Sequence, residues 1–161
     1  MSGDFSASYF DYDSVGLREH ADKPVLLAGR PQSDWVKVLA HTETRRFSRG
    51  ETIISAGETD RSLYLLTEGT LGVRLGKDTE KTFSAIDAPS VVGEVAFLDG
   101  GPRSATLFAI TDGELLRLRM ESYETLAARD PELGRAIVFD LARIVTARLR
   151  RASDVIARSG A

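Results

Sequence analysis

The chain contains the stretch Val91-Val-Gly-Glu-Val-Ala-Phe-Leu-Asp-Gly-Gly-Pro-Arg-Ser-Ala-Thr106. It starts as the end of an apolar strand and continues with a short apolar turn, a Gly-Gly-Pro break and an arginine. Gly93 has no Cβ, so a ligand can approach the backbone closely there. One helical turn starting at Glu94 would leave its first N–H groups unpaired, and such groups favour an anion. Arg103 adds a permanent charge and a donor fork suited to phosphate. The stretch therefore predicts a phosphate site.

A sugar hydroxyl is the second group that this stretch can bind. Glu94 only accepts hydrogen bonds when ionised, which suits a hydroxyl beside the phosphate better than the phosphate itself. An anion, a sugar hydroxyl and a compact pocket together indicate a nucleotide. Gly93-Glu94-Val95-Ala96 followed by Pro102-Arg103-Ser104-Ala105-Thr106 resembles the phosphate-binding cassette of the cyclic nucleotide-binding domain. That family includes catabolite activator proteins, protein kinase A regulatory subunits and cyclic-nucleotide-gated channels.

The resemblance implies a role for each residue of the cassette. Arg103 would pair with the exocyclic oxygens of a cyclic phosphate, and the N–H groups of Val95 and Ala96 would bind the same anion. Glu94 would accept from the ribose 2′-hydroxyl, and Ser104 would donate near the phosphate or the base. The alternative is a structural salt bridge between Arg103 and Glu94.

The base contacts follow less directly from the sequence. Val73, Leu75, Val91 and Val92 are candidate apolar walls. In the family's register, a polar pair on the last helix that contacts adenine falls on Arg148 and Leu149, and Arg148 can stack on a base. Ser104 leaves cAMP and cGMP open, and we favour cAMP. No cofactor beyond this ligand is expected.

Composition limits the class of protein. The chain has 161 residues, a net charge of −3 and no cysteine, which predicts one domain with appendages and no disulfide or thiolate metal site. No apolar run is long enough to span a membrane, and the N-terminus lacks the features of a signal peptide. We therefore expect a soluble cytoplasmic protein that binds neither membranes nor, given the mild charge, DNA.

Short strands separated by turns fill the sequence from Thr44 to Arg119. Glycine-containing turns around Gly50, Gly57 and Gly69 and at residues 76–78 alternate with apolar runs, and Asp112-Gly113 is typical of a tight hairpin. With the resemblance, the pattern predicts a mainly β fold with helices. We expect an antiparallel, jelly-roll-like β-roll of about eight strands, with a short phosphate-binding helix, one N-terminal helix and a C-terminal helical lid.

Helical patterns flank these strands. Residues 32–42 form a predicted helix with Ser33 as N-cap, and Asp130-Pro131 is typical of the start of a long helix that reaches about Arg158. Its apolar stripe is longer than one face of a roll, so the remainder should cover the nucleotide or form a homodimer. We divide the chain into an N-terminal segment (1–30), the β-roll (31–130) and the lid or dimerisation helix (131–161).

The N-terminal segment mixes aromatic residues with acids, in particular at Tyr9-Phe-Asp-Tyr-Asp13. Two interpretations stay open: a loosely packed tail, or an interaction segment that folds onto a basic surface. The stretch Pro24–Gly29 is expected to anchor this segment in the core.

The expected function is a stand-alone cyclic-nucleotide receptor, most simply for cAMP, that changes conformation and signals through an unidentified effector protein. The alternative is a scaffold module with the same roll and no nucleotide. An enzyme is not expected: His20 and His41 lie outside the predicted roll, so no cupin-type metal set can form, and no serine lies in a nucleophile elbow.

Overall fold

Two four-stranded antiparallel sheets form the body of the molecule, and helices cover one of them. The computed structural model describes residues 26–75, 82 and 84–160. The strands are β1 (Glu43–Phe47), β2 (Thr52–Ile54), β3 (Ser62–Glu68), β4 (Thr70–Leu75), β5 (Ser84–Asp87), β6 (Ser90–Val92), β7 (Ala105–Ala109) and β8 (Gly113–Arg119). The helices are α1 (Gln32–Ala40), α2 (Glu94–Asp99), α3 (Met120–Arg129) and α4 (Pro131–Ser159).

The chain passes repeatedly from one sheet to the other. One sheet has the order β1-β8-β3-β6 and the second has the order β2-β7-β4-β5. Among the described strands, β4 and β5 are the only consecutive pair that also share hydrogen bonds. This arrangement confirms the predicted antiparallel β-roll of eight strands with helices.

The predicted hairpin at Asp112-Gly113 is wrong. β7 pairs with β2 and β4, whereas β8 pairs with β1 and β3, so this turn joins the two sheets. A Cβ on Gly113 would lie 2.2 Å from the carbonyl oxygen of Glu68 and 2.4 Å from Cζ of Phe47. Gly113 is therefore required by close packing against β1 and β3, its two neighbours in the same sheet. The residue types of the turn alone do not distinguish this crossing from a hairpin.

Strand β3 separates two hydrophobic cores. Its side chains alternate between its two faces, so Leu63 and Leu65 pack against the helices while Tyr64 and Leu66 point into the roll. The sequence accordingly shows an uninterrupted apolar run, because both faces are buried. The helix-side core also contains Leu26 and Leu27, each 1% exposed, which agrees with the predicted anchor over the part that is described.

The helix boundaries agree with the sequence at one end of the chain and differ at the other. Asp130 caps α4 as predicted, accepting the N–H of Leu133 at 3.1 Å. The prediction of Ser33 as N-cap is wrong, because Pro31 occupies that position and no side chain caps α1. The turn predicted at residues 76–78 and the N-terminal segment up to Val25 lie outside the described residues.

Helix α4 is buried in its first half and exposed in its second. Leu133, Ile137, Leu141 and Ile144 lie in the core. Leu149 is 66% exposed and Ile156 is 71% exposed, although both continue the apolar stripe.

Within the part of the chain that the structure describes, no helix combines the length and apolar character needed to cross a membrane.

Candidate functional site

A cavity of about 470 Å³ lies between the roll, α2 and the second half of α4. Its volume falls within the range of small-ligand pockets, roughly 300–1,000 Å³. Its lining includes all but one of the residues singled out in the sequence, namely Val73, Leu75, Val92, Gly93, Glu94, Val95, Ala96, Arg103, Ser104, Arg148 and Leu149. The exception is Val91.

The prediction of Val91 as a wall of the cavity is wrong. Val91 and Val92 are neighbours on β6 and therefore point to opposite faces of the sheet. Val92 faces the interior of the roll and the cavity, whereas Val91 packs in the helix-side core. Four residues from the roll, Ile54, Ile86, Ala105 and Leu107, contribute further apolar lining that the sequence did not indicate.

Arg103 is a buried cation at the edge of this cavity. Its side chain is 2% exposed, and its Nη2 donates to Asp60 at 3.2 Å and to the carbonyl oxygen of Ser62 at 2.8 Å. Nη1 donates to the carbonyl oxygen of Gly93 at 3.0 Å. The Nε atom is buried without a hydrogen-bond partner in the described structure. Arg103 is thus fixed by three acceptors, which use three of its five N–H donors, and the N–H of Nε is among those that remain.

The backbone around Arg103 is held as firmly as its side chain. The N–H of Arg103 donates to Glu58 at 2.7 Å, and its carbonyl oxygen accepts from Gly57 at 2.9 Å. An arginine whose main chain and guanidinium group are both held by hydrogen bonds loses little further conformational entropy when an anion binds.

Gly93 joins β6 to α2 in a conformation that few other residues adopt. Its φ is +78°, and a Cβ at this position would lie 2.7 Å from Nη1 of Arg103. The glycine therefore allows both the left-handed turn and the approach of the arginine. Helix α2 starts directly afterwards, so the N–H groups of Val95 and Ala96 have no acceptor within the helix. Both residues line the cavity.

Glu94 pairs with Arg148 across the cavity, which links α2 to α4. The carboxylate of Glu94 is in salt-bridge contact with Nη1 of Arg148, and Nη2 of Arg148 donates to the carbonyl oxygen of Val91 at 2.6 Å. Glu94 is 8% exposed. The alternative of an Arg103–Glu94 salt bridge is therefore not what forms: each residue has a different partner.

A polar network that the sequence analysis did not predict lies behind Arg103. Asp60 binds Arg103 through one carboxylate oxygen and Arg117 through the other, at 3.2 and 2.9 Å. Ser62 donates to Asp60 and accepts from Arg117. These residues lie on β3, on β8 and in the loop before β3, far apart in the chain, so only the strand pairing brings them together.

This network makes the stability of the protein depend on pH through Asp60. Burial of the carboxyl group opposes its ionisation, but Arg117, Ser62 and Arg103 outweigh this and lower the pKa of Asp60. Because the pKa of Asp60 is lower in the folded chain than its unfolded value of about 3.9, the ionised carboxylate stabilises the fold at pH values above about 3.9. That stabilisation disappears as the pH falls through the lower, folded value.

We therefore expect Asp60→Asn to destabilise the protein at neutral pH and to differ less from the wild type below about pH 4. Urea denaturation from neutral to acidic pH measures this difference, with Asp154→Asn on the exposed part of α4 as the control for loss of one charge. Stability curves for Asp60→Asn and the wild type that stay parallel over the whole range would contradict it.

The cavity has no features of a metal centre. Among residues 26–75, 82 and 84–160, no group of three or more His, Cys, Asp or Glu side chains is placed to hold a metal ion. The convergent groups are instead the buried guanidinium of Arg103, the paired side chains of Glu94 and Arg148, two backbone N–H groups and an apolar wall. This set matches an anion attached to a sugar and a flat apolar ring.

Known proteins are similar to this chain in sequence and in fold. The family model described as cyclic nucleotide-binding domain matches residues 44–130. The cyclic AMP receptor protein of Thermus thermophilus is 32% identical over 117 residues, which cover 71% of this chain and 52% of that protein. The cAMP-dependent protein kinase regulatory subunit of Colletotrichum orbiculare is 34% identical over 92 residues, covering 56% of this chain and 23% of that one.

Solved structures agree. The Thermus thermophilus catabolite activator protein aligns with a TM-score of 0.72 at 28% identity, over 84% of this chain and 62% of that chain. A cyclic nucleotide-binding domain from Methylobacillus flagellatus aligns with a TM-score of 0.75 at 20% identity, over 96% and 93% of the two chains, and supports the fold alone.

The matches to curated relatives cover only part of those proteins. This chain corresponds to about half of the Thermus receptor, and a 30% identical match to glutaminase 2 of Bradyrhizobium diazoefficiens covers 21% of that enzyme. What these proteins share with the chain is thus a module. Because the family model spans more than half of the sequence and the cassette residues line one cavity, the chain belongs to the cyclic nucleotide-binding domain family.

Proposed function

We propose that the protein is a cyclic-nucleotide receptor, with cAMP as its main ligand, that passes ligand binding to a partner protein through α4. The observation that carries the proposal is the buried guanidinium of Arg103, with an unpartnered Nε, at the edge of a cavity that also contains Glu94 and the start of α2. The names of two relatives, a cyclic AMP receptor and a cAMP-dependent kinase subunit, favour cAMP over cGMP.

In this proposal the phosphate binds between Arg103 and α2. A buried arginine attracts an anion strongly because little water screens its charge. The N–H groups of Val95 and Ala96 provide donors from the opposite side, so the cyclic phosphate would be held by charge and by directed hydrogen bonds.

The ribose 2′-hydroxyl would donate to Glu94. The carboxylate retains its acceptor oxygens when Arg148 binds one side of it, so the hydroxyl and Arg148 can bind together. Arg148 would also lie against the base, next to Leu149 and the valines of the roll. Replacement of Arg148 by Gln should therefore weaken both the ribose and the base contacts.

The conformational part of the proposal concerns α2. Phe97 packs edge-on against Tyr123 of α3, with ring centres 5.5 Å apart, and belongs to the same core as Leu133 and Ile137 of α4. A ligand that binds one position of α2 more tightly than another would therefore shift α4.

Calorimetric titration with cAMP and then cGMP tests the function. We expect micromolar or tighter binding of cAMP by the wild type, weaker binding of cGMP, and weaker binding of both by Arg148→Gln. No heat with either nucleotide, in a sample whose melting curve is cooperative, would contradict a receptor.

A homodimer through α4 is the second element of the proposal. Exposed and half-buried apolar residues repeat at alternating spacings of four and three along α4, which is the pattern of a coiled-coil seam. The seam consists of Val138, Ala142, Val145, Leu149, Ala152 and Ile156. Several of these also line the cavity, so a second copy would help to close it.

We expect Ile156→Glu to weaken self-association at least about tenfold, because a carboxylate must lose water in an apolar seam. Sedimentation equilibrium over a range of concentrations measures this. Val36→Glu is the matched control, since Val36 is also apolar and exposed, at 61%, but lies on α1. A wild type that remains monomeric throughout would contradict the dimer.

One observation favours a second candidate, a scaffold that keeps the roll without a nucleotide. Arg148 already forms a salt bridge with the carboxylate of Glu94, the group to which a ribose hydroxyl would otherwise donate. Either function fits a cytoplasmic, non-enzymatic module with the three segments 1–30, 31–130 and 131–161, and neither needs DNA or a membrane.

A further inference from the structure

A groove on the outer side of α4 lies away from the nucleotide cavity and from the seam. Its volume is about 340 Å³, and it is lined by Ala28, Arg30, Glu132, Arg135, Ala136, Phe139 and Asp140. Phe139 is 57% exposed, and the guanidinium of Arg143 lies 5.0 Å from the centre of its ring. An exposed aromatic side chain flanked by two arginines is a surface for an apolar and acidic occupant.

Two of the cations at the groove have no described carboxylate partner. The lining carries two arginines and two carboxylates, and Arg143 adds a third cation beside Phe139. Asp140 accepts the backbone N–H of Leu27 at 2.7 Å, whereas Arg30 pairs with Asp34 at 2.7 Å and lies 3.9 Å from Glu132. Arg135 and Arg143 form no salt bridge with any carboxylate in the part of the chain that the structure describes.

The chain itself reaches this groove from its N-terminal side. The backbone N–H of Leu27 donates to Asp140, and Ala28 lines the groove. The segment that precedes Leu26 is therefore joined to the described chain beside the groove. Those residues, 1–25, lie outside the described part, and their sequence contains Tyr9-Phe-Asp-Tyr-Asp13. This stretch alternates aromatic rings with carboxylates, which is the chemistry that Phe139, Arg135 and Arg143 would bind.

We propose that Tyr9–Asp13 docks in this groove of its own chain, with an aromatic ring on Phe139 and with Asp11 and Asp13 paired to Arg135 and Arg143. The tether is long enough: the residues between Asp13 and Leu26 span up to about 40 Å when extended. It is also short enough to keep the effective concentration of the segment high, on the order of millimolar. Weak individual contacts therefore suffice.

The proposal gives the N-terminal segment a role that nucleotide binding does not require. The docked segment would cover the first turns of α4 around Phe139, and any partner that uses this surface would have to displace it. The contact is electrostatic in part, so it should weaken as salt screens the ion pairs.

Paramagnetic relaxation in the full-length protein tests this directly. The chain has no cysteine, so Thr146→Cys introduces a single site for a spin label on an exposed position, about 10 Å along α4 from Phe139. We expect loss of amide signal intensity for Tyr9–Asp13, and recovery of that intensity in high salt. Arg135→Glu with Arg143→Glu should restore the signals, and adding Asp11→Arg with Asp13→Arg should remove them again.

Two controls decide the occupant. Arg150→Glu changes one exposed arginine elsewhere on α4 and should leave the signal loss unchanged. In a second sample, spin-labelled chains without ¹⁵N are mixed with ¹⁵N chains that lack the spin label, at a concentration low enough for the chain to be monomeric. This mixture should show no loss. A loss in the mixture as strong as in the first sample would assign the groove to the segment of a second copy, and no loss in either sample would show that the segment does not dock. Both outcomes overturn the proposal.

Discussion

Replacing Arg103 with alanine should weaken cyclic-nucleotide binding roughly 10- to 150-fold, since a hydrogen bond to a charged group contributes about 1.5–3 kcal/mol. The guanidinium is 2% exposed and is fixed by acceptors from Asp60, Ser62 and Gly93. Its orientation is therefore set before the ligand arrives, and no other cation from the described roll lines the cavity. Calorimetric titration with cAMP measures the loss.

The fold must survive for that loss to be informative. Without Arg103, the carbonyl oxygens of Ser62 and Gly93 each lose one donor, so some decrease in melting temperature is expected. Arg103→Lys separates the effect on binding from the effect on stability, because lysine keeps the positive charge but lacks the two-pronged donor geometry of arginine. The affinity of Arg103→Lys for cAMP should lie between those of the wild type and Arg103→Ala. Arg46→Ala, at a side chain that is 87% exposed, should change neither quantity. Unchanged cAMP affinity in Arg103→Ala would contradict the proposed phosphate site.

The local part of this site was predictable because it is contiguous. Gly93, Glu94 and Arg103 lie in one short stretch whose residue types already indicate an anion and a sugar. Asp60 and Arg117 were not predictable in this way, because a single aspartate before a strand and a single arginine within one have no pattern of their own. Their roles depend on the register that places Ser62 opposite Arg119 and Tyr64 opposite Arg117.

The fold shows the same division between local and distant information. Glycines and apolar runs predict how many strands there are, but not which sheet each strand joins. Asp112-Gly113 has the chemistry of a hairpin, and only the pairing of β8 with β1 and β3, and of β7 with β2 and β4, shows that it is a crossing between sheets. Val91 was misassigned for a related reason, since a shift of one residue along a strand exchanges the two faces.

Phe97→Ala should lower the free energy of unfolding by about 3–5 kcal/mol, which is the usual loss for truncating a buried aromatic side chain. Phe97 is 1% exposed and contacts Tyr123 edge-on. It is also the buried residue of α2 in the core shared with α3 and α4, with the partly buried Leu98 packed beside it. For a chain of this length, the loss corresponds to a decrease in melting temperature of roughly 6–20 °C, which calorimetry or circular dichroism measures.

Val95→Ala is the control for this experiment, because Val95 lies on the same short helix but is 40% exposed. A substitution at such a position should change stability by no more than about 0.5 kcal/mol. The proposed switch requires more than a stable helix, since ligand contacts on α2 must reach α4 through Phe97. Phe97→Ala should therefore also reduce the effect of saturating cAMP on hydrogen exchange in α4, measured at a temperature where the variant is folded. Phe97 is not the connection between the cassette and the lid if Phe97→Ala has the same melting temperature as Val95→Ala. The same conclusion follows if cAMP protects α4 from hydrogen exchange in Phe97→Ala as it does in the wild type.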